Sequence, residues 1–188
     1  MVIISFGGNV KGRQGMPLQT MRWAIERMSD YQIQTISTSP FYSSKPLGQA
    51  GQDDYINGVV CVKTAMSAAN LLKNLKRIEC ESGRNNQQLK IEGRWGARPL
   101  DLDIIDYKGL ISRNYYLCAG NDQTLSHSNT RRCDLVLPHP QAHLRPFVIR
   151  PIIDIDKFWH HPVSGLSVRS LWASMSNCRE GRILHKVS

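Results

Sequence analysis

Residues 94–105 read Arg-Trp-Gly-Ala-Arg-Pro-Leu-Asp-Leu-Asp-Ile-Ile, and acidic and apolar side chains alternate in their second half. Such alternation predicts a β-strand, because successive side chains on a strand point to opposite faces of the sheet. Asp101 and Asp103 then share one exposed face, while Leu102 and Ile104 point into the core. The segment therefore predicts a strand at a sheet surface that carries two neighbouring carboxylates.

The chain before this strand contains further periodic segments. We predict a buried strand over 2–6, an amphipathic helix over 16–29, extended runs over 31–39 and 55–63, and a second helix between Ser67 and Gly83. The order strand, helix, strand, strand, helix, strand is typical of a ferredoxin-like βαββαβ plait. This is an α+β fold in which helices pack on a mainly antiparallel sheet. Gly7 and Gly8, after the first strand, indicate a turn or a close approach of the backbone.

The length of 188 residues favours a single domain spanning 1–188. Polar residues without a sustained period fill 113–134, and we interpret this segment as an insertion or a lid. Residues 156–188 are interpreted as a C-terminal extension with a short helix over 168–175 and a solvated basic end. His160 and His161 are expected at the surface.

Composition narrows the class of protein. Apolar residues make up 41% of the chain and charged residues 21%, and no apolar stretch approaches the roughly 20 residues of a membrane-spanning helix. We expect a cytoplasmic protein without a membrane partner. The five cysteines show no Cys-x-x-Cys spacing, which argues against a zinc site or a disulfide framework. The net charge of +9 indicates an anionic partner, but it does not distinguish nucleic acid, lipid and phosphorylated small molecules.

The paired aspartates allow two interpretations. Adjacent carboxylates are unfavourable unless a cation neutralises them, and Mg²⁺ is typically bound by one or two carboxylates together with substrate phosphates. Arg94 and Arg98 would add donors to phosphate oxygens, and Trp95 a stacking surface. The alternative is an edge strand with two solvated aspartates.

The motifs together resemble one enzyme family. They are Gly7-Gly8-Asn9, Phe41-Tyr42 with Pro46-Leu47-Gly48, Asp54-Tyr55-Ile56-Asn57, Arg77-Ile78-Glu79 with Gly83-Arg84, the segment 94–105, and Pro138-His139 with Arg145 and Phe147. In this order the sequence resembles 6-hydroxymethyl-7,8-dihydropterin pyrophosphokinases over most of residues 2–155. The resemblance implies transfer of pyrophosphate from ATP to the hydroxymethyl group of a pterin in folate biosynthesis, with release of AMP.

The resemblance also implies roles for individual residues. Asp101 and Asp103 would hold two Mg²⁺ ions and, with Arg98, carry catalysis. The pterin site would consist of Ser44, Leu47, Tyr55, Asn57, Trp95 and Phe147. The ATP site would consist of Arg84, Trp95, Arg98, Ile104, His139 and Arg145. The partners are then small molecules, not nucleic acid, and we expect a monomer.

The sequence departs from the family pattern near the nucleotide. The loop between Arg84 and Arg94 is longer than in compact family members, and the second arginine that usually follows the first has no clear counterpart. Asn86 stands nearby, and Lys90 is a candidate substitute. Pro140 follows Pro138-His139 in place of a tyrosine, and Asp134 and Val136 replace a basic and a hydroxyl residue. Two alternatives therefore stay open: a pterin-binding paralogue that has lost turnover, and a basic nucleic-acid-binding protein.

Overall fold

The computed structural model describes residues 1–47, 51–84, 96–116, 135–175 and 181–187. The strands are β1 (Val2–Gly8), β2 (Gln34–Thr38), β3 (Phe41–Ser44), β4 (Tyr55–Lys63), β5 (Asp101–Tyr107) and β6 (Ile183–Val187). The helices are α1 (Pro17–Arg27), α2 (Ala68–Glu81), α3 (Pro146–Ile155) and α4 (Val168–Ser174), with short 3-10 turns at Met28–Tyr31 and Ala142–Leu144.

The strands form one antiparallel sheet in the order β5-β1-β4-β3-β6. β2 also pairs with β4, next to Val60–Lys63, whereas β3 pairs with the other half of β4. The two short strands thus occupy the place of one long strand, interrupted at Pro40, whose ring nitrogen cannot donate a hydrogen bond. The α+β class and the predominantly antiparallel sheet predicted from sequence are confirmed.

The two predicted helices cover one face of the sheet. Met21 and Ala24 of α1 and Leu71 and Leu75 of α2 are buried there against apolar side chains of β1, β4 and β5. The Ser67 side chain caps α2 by accepting a hydrogen bond from the backbone N–H of residue 70. This face forms the larger part of the core.

The second face of the sheet is covered by α3 and α4, which do not belong to the predicted βαββαβ order. Ile149 and Ile152 of α3 pack with Ile3 and Val59 of the sheet, and Leu171 of α4 belongs to the same buried cluster. The helix begins with Pro146, a favourable residue in the first turn because its missing N–H has no helical partner. The helices therefore lie on both sides of the sheet. Of the two helices on this side, only the short α4 was predicted, and its position against the sheet was not.

The C-terminal segment also differs from its prediction as a solvated end. Residues 183–187 form β6 and add a strand beside β3, with the Tyr42 and Lys186 residues as register partners. The basic side chains of Arg182 and Lys186 remain exposed. His161 is wrongly predicted as a surface residue, because it is only 2% exposed and packs against Trp159.

Most of the predicted insertion, residues 117–134, lies outside the described residues. Among the helices that the structure describes, none combines the length and the apolar character that a membrane span requires.

Candidate active site

One cavity of about 420 Å³ opens at one end of the sheet. It is lined by Ser5, Phe6, Gly7, Ser44, Lys45, Leu47, Tyr55, Asn57, Lys76, Arg84, Arg98, Asp101, Asp103, His139, Arg145 and Phe147. Strands, the helix α2, the start of α3 and the loops between them all contribute. Charged, aromatic and amide side chains thus meet in a single space.

The strand register explains how distant sequence motifs meet. Gly7 of β1 pairs with Asn57 of β4 on one side and with Asp101 of β5 on the other. Directly paired residues on antiparallel strands face the same side of the sheet, and neighbouring strands lie about 4.8 Å apart. Asn57 and Asp101 therefore stand on one face, about 10 Å apart, with a glycine between them.

The two glycines of β1 are required by close contacts. A Cβ atom on Gly7 would lie 2.9 Å from the Asn57 Oδ1 atom, and one on Gly8 would lie 2.4 Å from the carbonyl oxygen of Pro99. The backbone N–H of Asn9 donates to the Arg98 carbonyl (3.0 Å), and the Asn9 Oδ1 atom accepts from the Arg98 N–H (2.9 Å). The predicted close approach is thus observed, and it fixes the segment that leads into β5.

Asp101 is surrounded by cations. Arg84 Nη1 lies 2.6 Å from Oδ1, and Arg98 Nη1 lies 3.0 Å from Oδ2. Burial acts to raise the pKa of Asp101, but the charges of Arg84, Lys76 and Arg98 outweigh it and hold the pKa well below its ordinary value. Asp101 is therefore ionised in the neutral pH range.

Lys76 and Glu79, on α2, complete the charged side of the cavity. Lys76 Nζ lies 2.7 Å from Glu79 Oε1, 3.9 Å from Asp101 Oδ1 and 4.0 Å from Asp103 Oδ1. Glu79 accepts a hydrogen bond from the backbone N–H of Leu102 (2.7 Å) and pairs with Arg84 (2.8 Å). The helix thus covers the outer edge of β5 and brings a lysine next to both aspartates.

The protonation states of this pair follow from burial and neighbouring charge. Burial raises the pKa of Glu79 to about 7, although Lys76 and Arg84 act in the opposite direction. Burial acts to lower the pKa of Lys76, yet the carboxylates of Glu79, Asp103 and Asp101 raise it above its ordinary value. Lys76 is therefore a permanent cation in the cavity.

Asp103 and His139 are neighbours in the cavity wall. His139 Nε2 lies 3.9 Å from Asp103 Oδ2, and the His139 backbone N–H donates to the Ile105 carbonyl (3.0 Å). The backbone hydrogen bond anchors the loop after Pro138 to β5. Arg145, further along the same connection, donates to Gln141 Oε1 (2.9 Å).

The remaining wall is aromatic and amide in character. Asn57 is only 4% exposed, and its Nδ2 donates to Ser44 Oγ (2.9 Å). Tyr55 and Phe147 are half-buried cavity residues, with the Tyr55 hydroxyl 3.4 Å from the Gly96 carbonyl. Burial raises the pKa of Tyr55, so its hydroxyl stays protonated. A flat ligand with a polar edge would find aromatic faces and a fixed amide here.

The structure gathers eleven of the predicted site residues in this cavity: Ser44, Leu47, Tyr55, Asn57, Arg84, Arg98, Asp101, Asp103, His139, Arg145 and Phe147. Ile104 is the exception, since it is only 3% exposed and belongs to the core on the face covered by α1 and α2. Trp95, Asn86, Lys90 and Asp134 lie outside the described residues.

Five residues of the cavity wall were not predicted from the sequence as site residues: Ser5, Phe6, Gly7, Lys45 and Lys76. Lys76 precedes Glu79 by one helical turn, and charged pairs at this spacing are common on exposed helix faces. Only the position of α2 against the edge of β5 distinguishes this pair from a solvated one.

Comparison with known proteins identifies the fold and the family. The chain aligns over 92% of its length with HPPK-DHPS of Plasmodium falciparum, with a TM-score of 0.59 and 14% sequence identity, and spans 42% of that chain. An HPPK-DHPS crystallised in complex with substrates gives a TM-score of 0.57 at 13% identity, with 92% of this chain and 43% of that one covered. The class defined by this fold is thus that of HPPK domains. Residues 3–157 match the 7,8-dihydro-6-hydroxymethylpterin-pyrophosphokinase (HPPK) family, and the chain belongs to this family.

Relatives at higher sequence identity include two pyrophosphokinases and a longer folic acid synthesis protein. The chain is 35% identical over 153 residues to the 2-amino-4-hydroxy-6-hydroxymethyldihydropteridine pyrophosphokinase of Haemophilus influenzae, covering 81% of this chain and 79% of the relative. The Synechocystis enzyme of that name is 32% identical, with 90% and 73% covered. The folic acid synthesis protein fol1 of Pneumocystis carinii is 36% identical over 90% of this chain, which spans only 19% of that longer protein.

Proposed function

We propose that this protein transfers the pyrophosphoryl group of ATP to the hydroxymethyl group of 6-hydroxymethyl-7,8-dihydropterin and releases AMP, a step of folate biosynthesis. Family membership supports the reaction class. The observation that carries the proposal is the composition of the cavity. Its wall joins an aromatic and amide surface to a cluster of carboxylates and cations.

The pterin is assigned to the aromatic wall. Its ring would stack between Tyr55 and Phe147, since a flat π-system gains most from two aromatic faces. Asn57 would read the amide edge, and its hydrogen bond to Ser44 fixes the orientation of its Nδ2. Leu47 would add apolar contact, and backbone groups near Ser44 and Leu47 would form further hydrogen bonds with the polar edge of the pterin. Trp95, which follows Arg94 in the sequence, is assigned to both substrates from the family resemblance alone.

The ATP phosphates are assigned to the charged wall. Arg84, Arg98 and Arg145 supply guanidinium donors that match phosphate oxygens, and His139 supplies a ring nitrogen beside Asp103. Lys76 extends this set of cations. Ile104 could take part only through its backbone, because its side chain is buried in the core.

The carboxylates of Asp101 and Asp103 fit the requirements of Mg²⁺. They are hard oxygen donors on one strand face, and Mg²⁺ commonly takes one or two carboxylates and completes its coordination with water and phosphate. Two Mg²⁺ ions held there would neutralise the transferring phosphates. Arg84 and Arg98 now occupy the Asp101 oxygens, so we infer that their guanidinium groups turn toward phosphate when ATP and metal bind.

Positioning and charge then account for catalysis. The row formed by Asn57, Gly7 and Asp101 sets the distance between the pterin edge and the metal ligands, and the glycine leaves the intervening space open. The hydroxymethyl oxygen attacks the β-phosphorus in line, and AMP leaves. Preorganised cations stabilise the charge that develops on the phosphate oxygens. We assign no side chain as a general base.

The alternatives from the sequence are less well supported. The comparisons do not favour a nucleic-acid-binding protein or an inactive paralogue. The cations that line the cavity are arranged around carboxylates, with Arg84 between Glu79 and Asp101. This is the arrangement of a small anionic-ligand site rather than an exposed basic stripe.

The test is a turnover assay with matched aspartate variants. Asp101→Asn and Asp103→Asn should each abolish AMP formation from Mg-ATP and the pterin, while circular dichroism and the pterin dissociation constant stay close to those of the wild type. Asp30→Asn, on the exposed turn after α1, should keep normal turnover. Near-normal rates in Asp101→Asn or Asp103→Asn would contradict the assignment of the metal ligands.

A further inference from the structure

The C-terminal strand adjoins the cavity although it lies outside the part of the chain that matches the family. The match ends at residue 157, whereas β6 spans Ile183–Val187 and pairs with β3. Ile183 is the register partner of Ser44, which lines the cavity. The end of β6 that begins the strand therefore points toward the aromatic wall.

Two contacts connect this end of β6 to the cavity. The carbonyl of Arg182 accepts a hydrogen bond from the backbone N–H of Lys45 (3.0 Å). Gly181 is buried, and a Cβ atom built on it would lie 2.9 Å from two ring carbons of Phe147 and 3.4 Å from Leu47 Cδ2. Lys45, Leu47 and Phe147 all line the cavity.

The conformation of Gly181 makes this contact specific to glycine. Its φ of +64° lies in the left-handed region, and the ring of Phe147 occupies the space of a side chain. The backbone of Gly181 thus lies against one edge of the Phe147 ring, while the Arg182 carbonyl holds Lys45 at the start of the loop after β3. The C-terminal segment reaches two parts of the aromatic wall at once.

We infer that Gly181 is a positioning residue, and that the segment 181–183 sets the width of the aromatic wall by holding Phe147 and Leu47. It does not touch the substrate itself. The inference rests on the proposed function, because it assigns the flat heterocycle to that wall. Displacing the Phe147 ring should therefore weaken binding of the pterin and leave binding of ATP unchanged.

The experiment compares two glycines of similar positive φ in the full-length protein. Gly165 has a φ of +67°, but a Cβ atom on it would meet nothing within 4 Å. Gly181→Ala and Gly165→Ala thus share the strain of the left-handed region, and only Gly181→Ala pushes on Phe147. Titration calorimetry gives the dissociation constants of 6-hydroxymethyl-7,8-dihydropterin and of ATP for both variants.

We expect Gly181→Ala to raise the dissociation constant of the pterin at least tenfold and that of ATP less than twofold, with both constants unchanged in Gly165→Ala. Equal effects in the two variants, or pterin binding as in the wild type in Gly181→Ala, would overturn the inference. A wild-type protein that binds no pterin would contradict the proposed function instead.

A second measurement tests the contact without any ligand. Leucine at position 147 lacks the ring edge that a Cβ atom on Gly181 would meet, so Phe147→Leu should reduce the loss of melting temperature caused by Gly181→Ala by at least half. If Gly181→Ala alone does not fold, the double variant should restore folding. An unchanged loss, or a double variant that stays unfolded, would show that Gly181 does not act through Phe147.

Discussion

Replacement of Arg84 by methionine should destabilise the protein strongly at neutral pH. The Arg84 side chain is only 10% exposed, and its Nη1 lies 2.8 Å from Glu79 and 2.6 Å from Asp101. Removing one partner of a buried ion pair typically costs about 3–5 kcal/mol, because the remaining charge stays buried. Lys76 still lies 2.7 Å from Glu79, and Arg98 still lies 3.0 Å from Asp101, so we expect the lower value, about 3 kcal/mol.

The assay is thermal unfolding of the full-length protein at two pH values. For a chain of this size, about 3 kcal/mol corresponds to a decrease in melting temperature of about 6–12 °C. The positive charges depress the folded pKa of Asp101, so their stabilisation is present above the ordinary aspartate pKa and is lost as the pH falls through the folded value. The difference between wild type and Arg84→Met should therefore shrink at pH 3, which lies below the ordinary aspartate pKa, in the range where this stabilisation is being lost.

Arg77→Met serves as the control, since Arg77 is exposed on the same helix, and its effect should stay within about 0.5 kcal/mol. A melting temperature of Arg84→Met equal to that of the wild type at pH 7 would contradict this prediction. So would a loss that is the same at pH 3 and pH 7.

Two further predictions concern Lys76 and a buried histidine. Lys76→Met should lower kcat/KM in steady-state kinetics about 100-fold, because it removes a cation beside both aspartates. The control is Arg77→Met, whose kcat/KM should stay within about twofold of the wild-type value. An unchanged kcat/KM in Lys76→Met would show that Lys76 does not belong to the site. Burial, with the nearby His143, lowers the pKa of His161 in the folded protein to about 4. The contribution of His161 to the free energy of unfolding is therefore constant above the pKa of an unfolded-state histidine, about 6.5, and falls by about 3 kcal/mol as the pH drops to about 4. Denaturant unfolding should show that His161→Phe reduces this acid loss and that His160→Phe, at an exposed position, does not; equal behaviour of the two variants would contradict the prediction.

The sequence predicts those parts of the fold whose signals are local. Helix α1 and helix α2 follow from apolar residues at helical spacing, and Ser67 and Gly83 mark the ends of α2 as expected. The alternation in β5 correctly places Leu102 and Ile104 in the core. Each of these elements depends on patterns within a few residues, which is why they were recognised.

The features that the sequence did not predict have weak local signals or depend on contacts between distant segments. β6 is short, two of its five residues are exposed and none is fully buried, and only its pairing with β3 gives it a strand conformation. In α3, apolar residues are interrupted by Pro151, which obscures the helical spacing. His161 is buried by Trp159 and His143, which are contacts that the sequence does not reveal.

The candidate site shows the same division. Resemblance to the family identified residues from five separate segments, and the strand register explains why Asn57 and Asp101 meet at Gly7. Lys76 and Gly181 escaped notice because a lysine on a helix and a glycine before a basic tail have ordinary explanations. Their contacts with Asp101 and Phe147 arise only from packing of α2 and β6.

In the proposed reaction, the aromatic wall of the cavity binds the pterin and the charged wall binds ATP. The most direct test is to incubate the full-length protein with Mg-ATP and 6-hydroxymethyl-7,8-dihydropterin and to quantify the nucleotide and pterin products by chromatography. We expect one AMP for each pterin diphosphate formed and no accumulation of ADP. Binding of the pterin without formation of AMP, or release of ADP in place of AMP, would contradict it.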